Sequence, residues 1–301
     1  MLSNRHLAFM EVARQKSFSK ASQELYISQP AISRHVKSLE EQYQTKLFER
    51  NGLKIQLTEA GKLLYDRLLT VRQIQEQTEF DISYLQQQQQ ASGILQLGAS
   101  TTVALYILPR AMSVFHQQFP LVEITLLNRN TEIVLEALLN KEINLGITEE
   151  KGKPNNVTYL PFLTDKVIAV CSKKSALARK KIYSLKDISH MPIAIRERGS
   201  GTLEAVKRGL LKNKIQLSDL NIKARLGGTE ALKNFIVESD CLGFLSQRSV
   251  TKELRQGELT EVEFEGLQIE RRFYFIQRKG ETSELNKHFI QLAKRIYKAS
   301  E

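Results

Sequence analysis

Two groups of side chains have types and spacing that could do chemistry. The first lies in YISQPAISRHVKSLEEQYQTKLFER, residues 26–50. Ile32, Val36 and Leu39 recur at i, i+4 and i+7 as a core-facing stripe, which leaves Gln29, Ser33 and Lys37 on another face with Pro30 and Arg34 beside them. That face suits a base edge: an amide pairs with adenine, a guanidinium with guanine and a hydroxyl with either, while a lysine farther along meets phosphate. A merely solvated helix face is the plain alternative. The second group sits where strands run into small polar residues able to open helices, in GASTTVALYILP, RERGSGTLEAVKRGLL and GGTEALKNFI. Unpaired backbone N–H groups at such turns, with hydroxyls beside them, suit a carboxylate, sulfate or phosphate. The best of these turns is Gly199, Ser200, Gly201 and Thr202, preceded by Arg196 and Arg198. It is too short for a P-loop and lacks the lysine, and Glu204 stands where a dinucleotide fingerprint has its third glycine. Taken singly, each turn is an ordinary helix cap.

Enzymatic sets do not assemble in the pattern. His6, His35, His116, His190 and His288 are scattered and none stands beside a plausible nucleophile, so no catalytic residue, cofactor or metal site is expected. Cys171 and Cys241, in KVIAVCSK and SDCLGFLS, lack CxxC or metal-ligand spacing and read as buried strand residues. The balance of 44 Lys and Arg against 33 Asp and Glu gives +11, which favours a polyanionic or membrane-surface partner. No run approaches about 18 uninterrupted apolar residues, and MLSNRHLAFMEVARQ lacks a secretion core, so the expectation is a cytoplasmic protein with no membrane partner.

The elements that must position these residues change character along the chain. With 301 residues and 42% hydrophobic content, two folded domains are possible. Residues 1–57 read as short helices followed by a hairpin: one helix ends near Tyr26, Ser28 offers an N-cap oxygen, and Pro30 falls in the first turn of the next. Helix, three-residue turn, helix is a helix-turn-helix geometry, whose second helix enters the major groove. Asn51 and Gly52 signal a tight hairpin that would place Arg50 and Lys54 on a β-wing within reach of phosphate or minor groove. Residues 58–90 read as one long helix. Leu64, Leu68, Val71, Gln75, Thr78, Ile82 and Leu85 step alternately by four and three, a heptad seam able to join two chains, or else the apolar side of a helix packed on its own domain. The Gln86–Gln90 run marks its end. From residue 92 onward, apolar β-rich runs such as ILQLGAS, VEITLL and KVIAV alternate with helical patterns, an α/β domain.

The run SFSKASQELYISQPAISRHVKSLEEQYQTKLFERNGLKIQLTEAG resembles the winged helix-turn-helix of LysR-type transcriptional regulators, and the resemblance continues through the whole chain. It implies an α+β multidomain protein: an N-terminal winged helix-turn-helix (1–57), a dimerisation linker helix (58–90) and a C-terminal two-lobed α/β effector domain (92–301) built like a periplasmic binding protein. The first lobe would hold 92–163 and 266–301, the second 164–265, with crossings near Thr164 and Gly266. Promoter DNA contact falls on Gln29, Pro30, Ser33 and Arg34, with Arg50 in the wing. The family often has a basic residue where Leu53 stands, which shifts wing contacts to Lys54. The carried-over cleft positions are Ser100, Thr102, Asn130, Thr131, Thr148, Ser200, Thr202 and Thr229. RERGSGT and GGTEALK are similar to the subgroup regulating sulfur assimilation and carbon fixation, which implies a small anionic metabolite as effector. A homodimer or homotetramer is implied, with RNA polymerase as a further partner. The competing readings are a redox-sensing member of the family using a cysteine, and a solute-binding transport protein, for which residues 1–57 would have no use.

Overall fold

The computed structural model describes residues 2–51, 54–86, 91–149, 154–281 and 283–298. It divides into two compact units, Met1–Leu85 and Gln86–Glu301. Among the described residues no helix is long and apolar enough to cross a membrane.

The first unit is built from α1 (Asn4–Gln15), α2 (Phe18–Glu24), α3 (Gln29–Tyr43), the hairpin β1 (Phe48–Asn51) and β2 (Lys54–Leu57), and most of α4 (Glu59–Gln86). Local chemistry sets the helix starts. The Ser17 hydroxyl accepts from the Lys20 amide at 3.3 Å, and the Ser28 hydroxyl accepts from the Ala31 amide at 3.4 Å. Between α2 and α3 the chain reverses through Tyr26, which is left-handed at φ 54. Ile32, Val36 and Leu39 are buried against Phe9, Val12, Ala21 and Leu47, as the periodicity requires. The wing hairpin hangs from α3 through Glu40, whose carboxylate accepts from the Leu47 amide at 3.0 Å and from Lys46 Nζ at 2.8 Å. Burial alone would raise the Glu40 pKa, but these hydrogen bonds outweigh it and lower it. Gly61 lets α4 approach the wing, because a Cβ there would lie 2.0 Å from the Leu47 carbonyl oxygen. In the hairpin Asn51 pairs with Lys54, and Gly52 of the expected Asn51–Gly52 turn lies outside the described residues.

The heptad expectation divides along α4. Leu68 is buried in the unit's own core and the partly buried Leu64 packs against it. Farther on, Val71, Ile74, Ile82 and Leu85 are 42%, 58%, 52% and 84% exposed, and these leave an apolar stripe on the surface of α4.

The second unit is a ten-stranded sheet covered by helices. Its strands are β3 (Gly93–Ser100), β4 (Val122–Arg129), β5 (Leu145–Glu149), β6 (Val157–Ser172), β7 (Ile182–Tyr183), β8 (Ile193–Arg196), β9 (Ile222–Leu226), β10 (Leu242–Ser246), β11 (Leu259–Phe264) and β12 (Ile269–Arg278). The helices are α5 (Thr101–Tyr106), α6 (Leu108–Gln118), α7 (Thr131–Leu139), α8 (Gly201–Lys212), α9 (Thr229–Val237), α10 (Gln247–Gln256) and α11 (Glu284–Lys298). The main order is β4-β3-β5-β12-β6-β10-β8-β9. Parallel pairs β3 with β4 and β5, and β8 with β9 and β10, form two βα clusters. The antiparallel pair β6 and β12 runs between them, from Val157 opposite Arg278 to Val167 opposite Ile269. One passage between clusters thus lies in β6, where Thr164 faces Arg272; the other lies inside β12, beyond Gly266. Separate apolar clusters around Val134 and Ile276, and around Ile193, Leu203 and Phe244, serve the two ends.

Candidate functional site

In the first unit the polar residues singled out on α3 face solvent. Gln29, Pro30, Ser33, Arg34 and Lys37 are all exposed, opposite the buried Ile32, Val36 and Leu39. Gln29 is lightly held, its amide oxygen accepting from the Ser19 hydroxyl at 3.2 Å. Lys37 reaches Glu41 at 3.7 Å, a surface pair of small energetic weight that a phosphate can replace. Arg50 and Lys54 lie on β1 and β2, but their side chains, like residues 52 and 53, fall outside the described residues. The face therefore presents an amide, a hydroxyl and a guanidinium from the first turns of a helix, the arrangement that reads base edges in a major groove.

In the second unit the cleft is assembled from strand ends. Ser100, Asn130 and Ser200 precede α5, α7 and α8 as their N-cap residues, which brings the hydroxyls of Thr102, Thr131 and Thr202 to the same place. Arg271 on β12 is the hub. Its guanidinium donates to Asp165 at 2.8 Å, Glu149 at 2.6 Å, Thr202 Oγ1 at 2.8 Å and Thr102 Oγ1 at 3.1 Å, and its side chain is wholly buried. The other Glu149 oxygen accepts from Thr131 Oγ1 at 2.5 Å. Asp165 accepts in turn from the Ser246 hydroxyl at 2.7 Å. A second guanidinium, Arg196, is bidentate to Glu197 at 2.8 and 2.9 Å and donates to Thr229 Oγ1 at 2.8 Å and Thr101 Oγ1 at 3.3 Å. Burial would raise the Glu197 pKa, yet Arg196's hydrogen bonds and charge lower it. Lys233 on α9 reaches the Tyr106 hydroxyl on α5 at 3.2 Å and Glu253 at 2.8 Å, a further tie between the two clusters.

The expected cleft residues meet unequally. Ser100, Thr102, Asn130, Thr131, Ser200 and Thr202 line one cavity together with Thr101, Glu149, Arg196 and Gly201. Thr229 joins it only through Arg196. Thr148 does not: side chains alternate along β5, and it is the next residue, Glu149, that faces the cleft. The cavity itself is about 10 Å³, so no effector fits among these residues as they stand. Charged groups join the hydroxyls and amides: two buried guanidinium groups and three carboxylates take part. Arg271, Glu149 and Asp165 carried no local signal: each stands in a strand next to another charged residue, Arg271 between Glu270 and Arg272, Glu149 before Glu150 and Asp165 before Lys166, and nothing in that spacing singles it out. A wider groove of about 570 Å³ runs past Lys166, Lys212 and Phe264, but both lysines are exposed and it gathers no comparable set of buried donors. Cys171 is sealed in an apolar cluster, and burial pushes its thiol up to about 11, only partly opposed by Lys173. A thiol so placed is a poor nucleophile, which opposes the redox reading at Cys171.

Comparison with known proteins follows the same division. Residues 4–62 match the bacterial regulatory helix-turn-helix protein, lysR family. Residues 88–297 match the LysR substrate binding domain. The chain is 31% identical over 275 residues to the HTH-type transcriptional activator CmpR of Synechocystis sp. (strain ATCC 27184 / PCC 6803 / Kazusa), covering 90% of this chain and 88% of that protein. It is 27% identical over 292 residues to the HTH-type transcriptional regulator CysL of Bacillus subtilis (strain 168), covering 97% and 96%. Among solved structures, the Synechocystis PCC6803 CcmR regulatory domain in complex with 2-PG is similar with a TM-score of 0.61 at 26% identity, over 67% of this chain and 96% of that one.

Proposed function

Because this chain belongs to the LysR family of bacterial transcriptional regulators, we propose that α3 reads promoter DNA and that a small anionic metabolite entering the second unit's cleft changes how that DNA is held. The observation that carries the reading is one buried guanidinium, Arg271, that donates to the Glu149 carboxylate and to the Thr102 and Thr202 hydroxyls, with the Thr131 hydroxyl donating to the same carboxylate. Such a set is complementary to an oxyanion. The relative CcmR, whose regulatory domain is in complex with 2-PG, supports an anion of that class. The same contacts tie the two βα clusters together: Arg271 joins Thr102 to Thr202, and Arg196 joins Thr101 to Thr229. A ligand that replaces them acts by favouring a different arrangement of the lobes. Dimerisation through the exposed stripe of α4, assembly into a tetramer, contact with RNA polymerase and a cytoplasmic location complete the proposal. Calorimetric titration of 2-PG, sulfate and inorganic phosphate into the full chain tests it. Binding of one of these anions, weakened about tenfold to hundredfold in Thr202→Ala by loss of one charge-assisted hydrogen bond, is expected. Heat from none of them would count against the anion reading.

A further inference from the structure

The cleft already holds an anion of its own. Glu149, buried at the end of β5, places its carboxylate against Gly201, the first residue of α8: a Cβ at Gly201 would lie 2.1 Å from both the carboxyl carbon and Oε2. Its two oxygens are taken by Arg271 and by Thr131 at the start of α7. Beside it, among the described residues, the buried Ser100 hydroxyl faces the same cavity without a hydrogen-bond partner. The leftover volume of about 10 Å³ is no more than one water needs, roughly 10–15 Å³. A hydroxyl donor left unused next to a filled hole shows that the hole has more capacity than the resident group exploits.

Resting on the reading of this cleft as the effector site, we propose that Glu149 is a built-in competitor for the effector's anionic group. Its carboxylate fills the space in front of Gly201, held there by Thr131 and Arg271, and an anionic ligand binds by displacing it. Coexistence is opposed twice. No space remains for a second carboxylate or phosphate, and two anions at contact distance disfavour each other strongly. Displacement does not strip the hole, since Arg271 keeps Asp165 and the hydroxyls of Thr102 and Thr202. The resident carboxylate thereby sets the threshold: it keeps the lobes tied when ligand is scarce, and only an anion that makes more of the available contacts, Ser100 included, replaces it.

The test uses the full chain and the variants Glu149→Ala and Glu149→Gln, with formate and 2-PG as probes. Formate is expected to raise the Tm of Glu149→Ala by filling the vacated hole and to leave the parent unchanged. In calorimetry 2-PG should bind Glu149→Ala about tenfold or more tightly than the parent, the equivalent of one charge-assisted contact no longer competing. Glu149→Gln, which keeps the shape and loses the charge, should gain in the same direction by less, and it serves if the alanine variant folds poorly. Weaker 2-PG binding in Glu149→Ala would overturn the proposal, because it would make Glu149 a helper of the ligand; so would a folded Glu149→Ala that ignores formate. A parent and variants that ignore 2-PG, with formate still stabilising Glu149→Ala, would uphold the occupied hole and sink the effector reading instead.

Discussion

The face of α3 and the cleft of the second unit are both polar, and they have opposite fates. On α3 the amide of Gln29, the hydroxyl of Ser33 and the guanidinium of Arg34 point into water, at little cost while unbound and with donors ready for a partner. In the cleft the polar groups have found one another: Arg271 is wholly buried and committed to two carboxylates and two hydroxyls. An exposed recognition face needs no internal partner, whereas a buried one must be satisfied before any ligand arrives. The first site is therefore open by construction and the second is gated by its own side chains.

The largest expected effect separates the two sites by stability. Arg271→Ala leaves Glu149 and Asp165 buried without their counter-charge, and removing one member of a buried ion pair costs about 3–5 kcal/mol. Denaturant unfolding of the full chain should show a loss of that size. A change under about 1 kcal/mol, the scale of an exposed pair, would mean that the cleft is not held by its ion network and that the contrast with α3 is false.

Assembly comes next. Val71→Glu places a charge in the exposed apolar stripe of α4, away from the Leu64 and Leu68 contacts of the unit's own core. If that stripe joins two chains, light scattering should report a monomer with a normal circular dichroism spectrum, since burying an unpaired charge is unfavourable. A mass unchanged from that of the parent would remove α4 from the interface.

A base-reading guanidinium has a smaller, more selective effect. Arg34→Ala should weaken binding to the chain's own upstream DNA by about 1–3 kcal/mol and relax discrimination at one position, with little change on random duplex. Equal loss on both would make Arg34 a phosphate contact. Arg271→Met, by contrast, should leave DNA discrimination alone, because it touches only the cleft.

The smallest effect is a pH dependence. The folded pKa of Glu197 is below its ordinary value, so its pair with Arg196 contributes stability that is fully present above the unfolded carboxylate pKa and is lost as pH falls through the folded one. Thermal melts of the parent should therefore fall on acidification through the carboxylate range more steeply than those of Glu197→Gln. Parallel curves would deny the pair that role.

The contrast also explains what could be read in the sequence. The helix-turn-helix is local: the Ser28 cap, Pro30 and the Ile32, Val36, Leu39 spacing lie within a few turns of chain, and periodicity exposes them directly. The helix-opening residues of the cleft were legible for the same reason, since caps are local chemistry. Their partners were not. Arg271 meets Glu149 across 122 positions and Asp165 across 106, and no spacing rule links such residues. Thr148 came only from the family resemblance, and strand alternation decides that its neighbour Glu149 is the one that faces the cavity. In α4 the heptad pattern was continuous in sequence, but Leu68 is buried in the first unit's core with Leu64 packed against it.

The most direct test is nuclease protection of the DNA upstream of the chain's own gene, measured for the full chain with and without 2-PG. The account predicts a protected region that needs Arg34 and whose extent changes when 2-PG is added, with the change reduced in Thr202→Ala while the protection itself remains. Protection that is identical with and without the anion, in parent and variant alike, would contradict the claim that the cleft governs how α3 holds DNA.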